Sequence, residues 1–182
     1  MEKPVSWYNE AWKRGGWIKC KSEPRHIYTI AELRRLGVKT ILDICCGQGG
    51  PLSLFRDSGF ICYGFDFSSA AIEIAQKVNK FKNVWVGDAL DKENYTGEYD
   101  AYLAIQVLEH ITQDLDVIRN LKPDIPFIFS LPNWMHPSLE HVRKFPSDKS
   151  INQRYGEIVD IKSIKTFGGR RVVTSMTKKT KR

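Results

Sequence analysis

Four polar residues close apolar runs along the chain: Asp43 after Thr40-Ile41-Leu42, Asp66 after Ile61–Phe65, Asp88 after Val84-Trp85-Val86-Gly87, and Gln106 after Ala101–Ile105. Carboxylates and an amide at such positions can take hydrogen bonds from the hydroxyls and amines of a ligand. Asp43 leads into Ile44-Cys45-Cys46-Gly47-Gln48-Gly49-Gly50. A glycine-rich turn straight after a strand lets the backbone lie against a nucleoside-type ligand, because Gly47 and Gly49 can take positive φ and carry no Cβ. The dinucleotide fingerprint G-x-G-x-x-G/A puts a third small residue where Leu52 stands, so a nicotinamide dinucleotide fits worse. A tight strand-to-helix turn with no ligand is the plain alternative for one such loop.

Between these strand ends lie helical patterns. Ala71, Ile74, Ala75 and Val78 fall on one face, as do Ile111, Leu115, Ile118 and Leu121. Strand starts recur about every twenty residues, the spacing of strand-helix-strand crossovers in a parallel sheet. Ligands of such sheets bind outside the carboxyl ends of the strands, so the four polar residues should meet in one crevice. Phe127-Ile128-Phe129-Ser130 adds a fifth buried strand. Glu157 to Thr166 and Arg170 to Thr177 read as two more strands, joined at Gly168-Gly169 by a hairpin turn. Ahead of the sheet, Ser22-Glu23-Pro24 starts a helix that stops at Gly37, with Ile27, Ile30, Ala31 and Leu33 as its apolar face.

With these residues in place, the chain resembles the class I S-adenosylmethionine-dependent methyltransferases over most of its length. The resemblance is carried by Asp43 to Gly49, by Asp66 and Asp88 after the second and third strands, and by Gln106-Val107-Leu108-Glu109-His110-Ile111 after the fourth. It implies an α/β fold: a doubly wound, mostly parallel seven-stranded sheet with helices on both faces and a C-terminal antiparallel hairpin, Rossmann-like. It implies S-adenosyl-L-methionine as cofactor, with Asp66 on the ribose hydroxyls, Asp88 and Ala89 around the adenine, and the turn of Asp43, Cys45, Gly47 and Gly49 under the methionine part. Phe67 and Gln106 belong to the same cofactor pocket. Cys45 stands where the family has its first glycine, which tightens the turn.

A sulfonium is an activated methyl donor, so transfer asks the protein to hold the nucleophile and the methyl carbon in line, positioning worth roughly 7–11 kcal/mol. A hydroxyl or ammonium acceptor also has to lose a proton, a task suited to histidine near neutral pH. His110, after the fourth strand, is the leading candidate. His141 and His136 follow the fifth strand on the same rim, and His26 on the covering helix is expected to be structural. His110 with Glu109 could instead anchor the following helix, and the loop of His141 could face substrate. Glu109, His110 and His141 also resemble part of the metal site of small-RNA 2′-O-methyltransferases and some ubiquinone-biosynthesis methyltransferases. Those sites carry a further carboxylate where Gln106 stands, so no metal is expected.

The N-terminal segment Trp7-Tyr8-Asn9-Glu10-Ala11-Trp12-Lys13-Arg14-Gly15-Gly16-Trp17 holds three tryptophans. That much aromatic surface must pack on something. It can pack on the sheet's helices, or act as a lid in which Trp12 or Tyr8 covers the methionine end of the cofactor and Arg14 approaches its carboxylate, with Gly15-Gly16 as the bend.

At 182 residues and 42% hydrophobic content, the chain can bury one full core. A single methyltransferase domain, 1–182, is expected, with 1–21 as the lid segment and 22–182 as the α/β core. No apolar run is long enough to span a membrane, and Met1 to Cys20 is too polar for a leader. The four cysteines show no C-x-x-C spacing, which suits a reduced, cytoplasmic chain. The net charge of +7, with Lys178, Lys179, Lys181 and Arg182 at the end, admits a polyanionic partner or a plain solvated tail. The favoured reading is methyl transfer to an O or N nucleophile of a small polar molecule. The alternatives are an RNA or DNA methyltransferase and a non-catalytic cofactor-binding scaffold.

Overall fold

Short runs of β-branched and aromatic residues that alternate between two buried faces make the strands of this chain. In the computed structural model, which describes residues 2–15, 22–133 and 140–179, they are β1 (Thr40–Ile44), β2 (Ile61–Asp66), β3 (Val84–Val86), β4 (Ala101–Ile105), β5 (Pro126–Pro132), β6 (Val159–Phe167) and β7 (Arg170–Thr177). They form one seven-stranded sheet in the order β3-β2-β1-β4-β5-β7-β6. The first five strands pair in parallel, and β7 runs antiparallel to both β5 and β6. The chain turns from β6 into β7 through Gly168 at φ 55°, a left-handed conformation that glycine adopts without Cβ strain. The fold is the doubly wound, Rossmann-like one that the sequence implies.

The two faces carry separate cores. Ile41, Leu103, Ile128 and Val172 point to one side and meet Leu33, Leu52, Phe55 and Ala75 of α2 (Pro24–Arg35), α3 (Gly50–Asp57) and α4 (Ser69–Lys77). Leu42, Tyr102, Phe127, Phe129 and Val173 point to the other and meet Val117, Ile118, Ile151 and Tyr155 of α5 (Asp114–Arg119) and α6 (Asp148–Tyr155). Each fully buried Leu, Ile or Phe contributes about 1.5–3 kcal/mol of hydrophobic stabilisation. Strands with both faces covered hold their register rigidly, and this fixes the residues at their carboxyl ends. Among the described residues no helix is long and apolar enough to cross a membrane.

Helix faces differ from the sequence reading. On α2, Ile27 is 61% exposed and Ala31 is exposed, while His26, Thr29 and Leu33 are buried. His26 is free to turn inward because its Nδ1 accepts from the Glu23 N–H (3.2 Å), capping the helix start. Burial pushes its imidazole down to about 4, which keeps it neutral. The N-cap residue is Glu23, directly ahead of Pro24, within the expected start Ser22-Glu23-Pro24. Val78 lies just past the end of α4 and is 67% exposed, and the face that packs is Ala71, Ile72 and Ala75. Ile111 precedes α5, whose inner face is Val117 and Ile118. His136, Gly16, Trp17, Cys20, Lys181 and Arg182, all weighed in the sequence, lie outside the described residues.

Candidate functional site

Between β1 and β4 the strand order reverses, and a cavity of about 880 Å³ opens at the carboxyl ends of the strands there. Asp43, Cys45, Gly47, Asp66, Phe67, Asp88, Ala89 and Gln106 line it, as do Trp12, His110 and His141. Gly49 does not. It sits at φ 79° ahead of α3, and a Cβ there would fall 2.6 Å from Phe81 Cε2, so packing and turn geometry already require a glycine at this position.

The turn after β1 is tightly held. The Cys46 N–H donates to Phe65 O (2.9 Å) and the Gly49 N–H to Cys46 O (2.9 Å). Cys45 and Gln106, the residues just after β1 and β4, have φ of 54° and 60°. Both are strained, left-handed positions for residues with a Cβ, and both face the cavity.

Asp66 accepts from the Gly47 N–H through Oδ2 (3.0 Å) and from the Ser68 N–H through Oδ1 (2.8 Å). Each oxygen keeps a second lone pair for a ligand hydroxyl. Burial raises its carboxyl to about 6 against the lowering effect of those two N–H bonds. Asp43 is pushed up further, to about 8, by burial and then by the charge of Asp66. Asp88 turns one oxygen to the Leu90 N–H (2.9 Å), and Ala89 O takes the buried Tyr95 hydroxyl (2.8 Å), so this stretch is fixed in place before any ligand arrives.

The N-terminal helix α1 (Val5–Lys13) crosses the cavity mouth. Asn9 Oδ1 takes the Ser68 hydroxyl (2.6 Å) and the Ala70 N–H (3.2 Å), while Glu2 Oε2 takes the Thr112 N–H (2.9 Å), so the segment is pinned on both sides. Tyr8 and Trp12, one helical turn apart, face inward. Tyr8 meets Phe67 edge on (5.0 Å between centroids), and Trp12 lies over Gly47, where a Cβ would come within 2.8 Å of its ring. Arg14, just past the end of α1, is not among the residues that line the cavity.

At the other end, His110 and His141 stand edge to face with centroids 4.7 Å apart. The carbonyl of Glu140 can only accept, so its 3.3 Å contact with His110 Nδ1 places the proton there and leaves Nε2 as the basic nitrogen. Burial, with His141 second, lowers His110 to about 4, and burial lowers His141 as well. Both rings are neutral near pH 7. Glu109, fully buried beside them, accepts no hydrogen bond on either oxygen among the described residues, and burial raises it to about 8.

The sequence reading did not single out what holds this end together. Buried Asp114 takes Arg154 (2.6 Å), the Tyr155 hydroxyl (2.8 Å) and Arg143 (3.2 Å), and Arg143 also caps the carbonyls of Ile111 and Thr112. The Val142 N–H donates to Glu109 O (2.8 Å). The loop of His141 is thereby tied to the loop of His110. Tyr8 lines the cavity beside Trp12, and Arg25, Glu140 and Arg170 are further lining residues that the sequence pattern did not reveal. Ligand atoms of Glu109, His110 and His141 lie within 4.8 Å of one another, close enough to hold a cation, whereas Gln106 turns its amide to Ser130 Oγ (3.2 Å).

Residues 21–165 match a family model described as a methyltransferase domain. Among curated proteins, the chain is 28% identical over 128 residues to norajmaline N-methyltransferase of Rauvolfia serpentina, covering 62% of this chain and 42% of the relative. It is 27% identical over 119 residues to a ubiquinone biosynthesis O-methyltransferase of Histophilus somni, covering 58% and 50%. The chain spans about half the length of these relatives. Among solved structures, the methyltransferase domain of bacterial CtHen1 superposes with a TM-score of 0.66 at 20% identity, covering 84% of this chain and 97% of that one. Magnesium protoporphyrin IX methyltransferase of Synechocystis PCC 6803, solved with bound S-adenosylmethionine, superposes with a TM-score of 0.61 at 18% identity, covering 84% and 78%.

Proposed function

The chain belongs to the methyltransferase-domain family, the class I S-adenosylmethionine-dependent methyltransferases, and we propose that it methylates an oxygen or nitrogen nucleophile of a small polar molecule. The observation that carries this reading is one continuous cavity with the Asp43–Asp66–Asp88 strand ends on one side and His110 and His141 on the other.

The residues present fit the cofactor. Asp66 offers its two second lone pairs to the ribose hydroxyls, Ala89 and Asp88 frame the adenine, and Gly47 leaves the space that a Cβ would close against Trp12. Once bound, S-adenosylmethionine supplies a methyl group on a sulfonium. Helix α1 then acts as the lid: Tyr8 and Trp12 exclude water over the reacting centre, and the bonds of Asn9 to Ser68 and Ala70, with that of the preceding Glu2 to Thr112, hold it shut. The acceptor enters between α1 and the loop of His141. His110 Nε2 takes the acceptor's proton, and His141 and Glu140 O hold the ring in the required tautomer and plane. A small acceptor is supported by the covered site and by the two curated relatives, both named for small-molecule chemistry. Transfer of labelled methyl from S-adenosylmethionine to polar metabolites, and separately to RNA and DNA, tests the proposal. Labelling of metabolites that falls in His110→Ala supports it, and labelling of nucleic acid alone overturns it.

One observation favours a second reading of the acceptor end. The buried Glu109 carboxyl, 3.9 Å from His110 Nε2 and with no hydrogen bond on either oxygen among the described residues, forms with the two neutral imidazoles a donor set for a divalent cation. Glu109, His110 and His141 would hold the ion, which would lower the pKa of an acceptor hydroxyl. Turnover lost to a chelator and restored by Mg²⁺, Mn²⁺ or Zn²⁺ selects this reading, and unchanged turnover selects His110 as base.

A further inference from the structure

Helix α1 backs both hydrogen bonds that hold the Asp66 carboxylate. Asp66 Oδ1 takes the Ser68 N–H (2.8 Å) and Oδ2 takes the Gly47 N–H (3.0 Å). Asn9 Oδ1 accepts the hydroxyl of that same Ser68 at 2.6 Å, and the Trp12 ring lies on that same Gly47, where an added Cβ would fall 2.8 Å from Trp12 Cζ2. Asn9 and Trp12 are three positions apart on α1, so one face of a single turn reaches both donors. The contacts close a ring that runs Asn9, Ser68, Asp66, Gly47, Trp12 and back through the helix.

Ser68 is fully buried and is the N-cap of α4, its hydroxyl oxygen taking the Ala71 N–H (3.2 Å). Asn9 Oδ1 also takes the Ala70 N–H (3.2 Å), so the first turn of α4 is capped by two side chains, one of them 61 positions from the amide it holds. The turn capped in this way is the one that aims the Ser68 N–H at Asp66. Asn9 itself does not line the cavity, so it acts through Ser68 and not on a ligand. Helix α1 has nine residues and none of its side chains is fully buried. A helix this short does not persist in water by itself, so its docking rests on a few contacts and is readily shifted by a ligand.

We propose that Asn9 is a positioning residue for the cofactor: through Ser68 it sets the Asp66 carboxylate for the ribose hydroxyls, and a ribose held by Asp66 in turn fastens α1 over the cavity. The inference rests on the methyl-transfer reading with its adenosyl cofactor, and specifies how the covering helix responds to it. The coupling is reciprocal: the free energy that docking of α1 adds to ligand binding is the free energy that ligand binding adds to docking.

The test uses the full chain and S-adenosylhomocysteine, with calorimetry for affinity, stopped-flow for release and hydrogen exchange of the α1 amides for docking. Asn9→Ala should weaken binding about 5-fold or more, the scale of one or two lost hydrogen bonds between neutral groups, mostly as faster release. The ligand should slow exchange across α1 in wild type and much less so in Asn9→Ala. In an Asp66→Ala background the same substitution should change affinity by less than about twofold, because the carboxylate it acts through is gone. Should Asn9→Ala not fold, Asn9→Leu, of similar size and without an acceptor oxygen, carries the comparison. Affinity in the Asn9 variant equal to that of wild type, or an equal loss in both backgrounds, overturns the inference. Folded wild type that does not bind S-adenosylhomocysteine would instead bring down the methyl-transfer reading itself.

Discussion

The imidazoles of His110 and His141 meet edge to face at 4.7 Å although they lie on different loops, one after β4 and one after β5. The contact joins the two strand ends that border the acceptor half of the cavity. It follows from the Val142 N–H bond to Glu109 O and from Arg143 bridging to Ile111, Thr112 and Asp114.

If His110 Nε2 takes the acceptor's proton, His110→Ala should lower kcat by about 10²–10⁴-fold, the usual value of a general base. His141→Ala, which removes only the ring's support, should cost less. Affinity for S-adenosylhomocysteine should be unchanged in both, and calorimetry together with steady-state kinetics separates the two effects.

Asp66 makes cofactor affinity depend on pH. Its carboxyl stands near 6 in the free protein because it is buried, and ribose hydroxyls donate far more strongly to the ionised form, both of whose oxygens accept. Binding therefore expels a proton below that value. Affinity for S-adenosylhomocysteine should fall as pH drops through about 6, approaching tenfold per unit at the acid end, and level off above pH 7. Asp66→Asn should bind weakly at every pH with this step gone.

Asp114 is the hub of the acceptor loops. Asp114→Ala should destabilise the fold by about 2–4 kcal/mol, since Arg154, Arg143 and the buried Tyr155 hydroxyl lose their common acceptor. Urea denaturation measures this. Asp114→Asn, which retains one acceptor oxygen, should cost less.

Cys45 holds φ 54° with a Cβ in place. Cys45→Gly should fold with near-native stability, because the strain it relieves offsets the entropy glycine adds to the unfolded chain. Cys45→Val, β-branched in a left-handed position, should cost about 1–3 kcal/mol. Thermal melts of the two variants provide the comparison.

The strand ends were legible in the sequence because strand, polar cap and glycine turn are all local signals. Asp43, Asp66, Asp88 and Gln106 reach the cavity as the spacing implies, and β6 and β7 form the hairpin marked by Gly168-Gly169. Helix faces were less legible. Periodicity allots Ile27 and Val78 to the core, but a helix buries whichever side the sheet presents, and short helices leave terminal apolar residues in water. Gly49 has the pattern of a ligand-contacting glycine, yet Phe81, 32 positions on, fills the space beside it. Asp114 with Arg154 is a pair set by closure of the whole sheet, and no local pattern marks it.

The central claim is that this cavity seats S-adenosylmethionine through Asp66. Calorimetric titration of S-adenosylmethionine, S-adenosylhomocysteine and NAD into wild type and Asp66→Ala tests it most directly. The account predicts dissociation constants on the order of micromolar for the two adenosyl ligands, weakened by at least about tenfold in Asp66→Ala, and no heat from NAD. Folded wild-type protein that binds neither adenosyl ligand, or an Asp66→Ala variant that binds them as tightly as wild type, would contradict it.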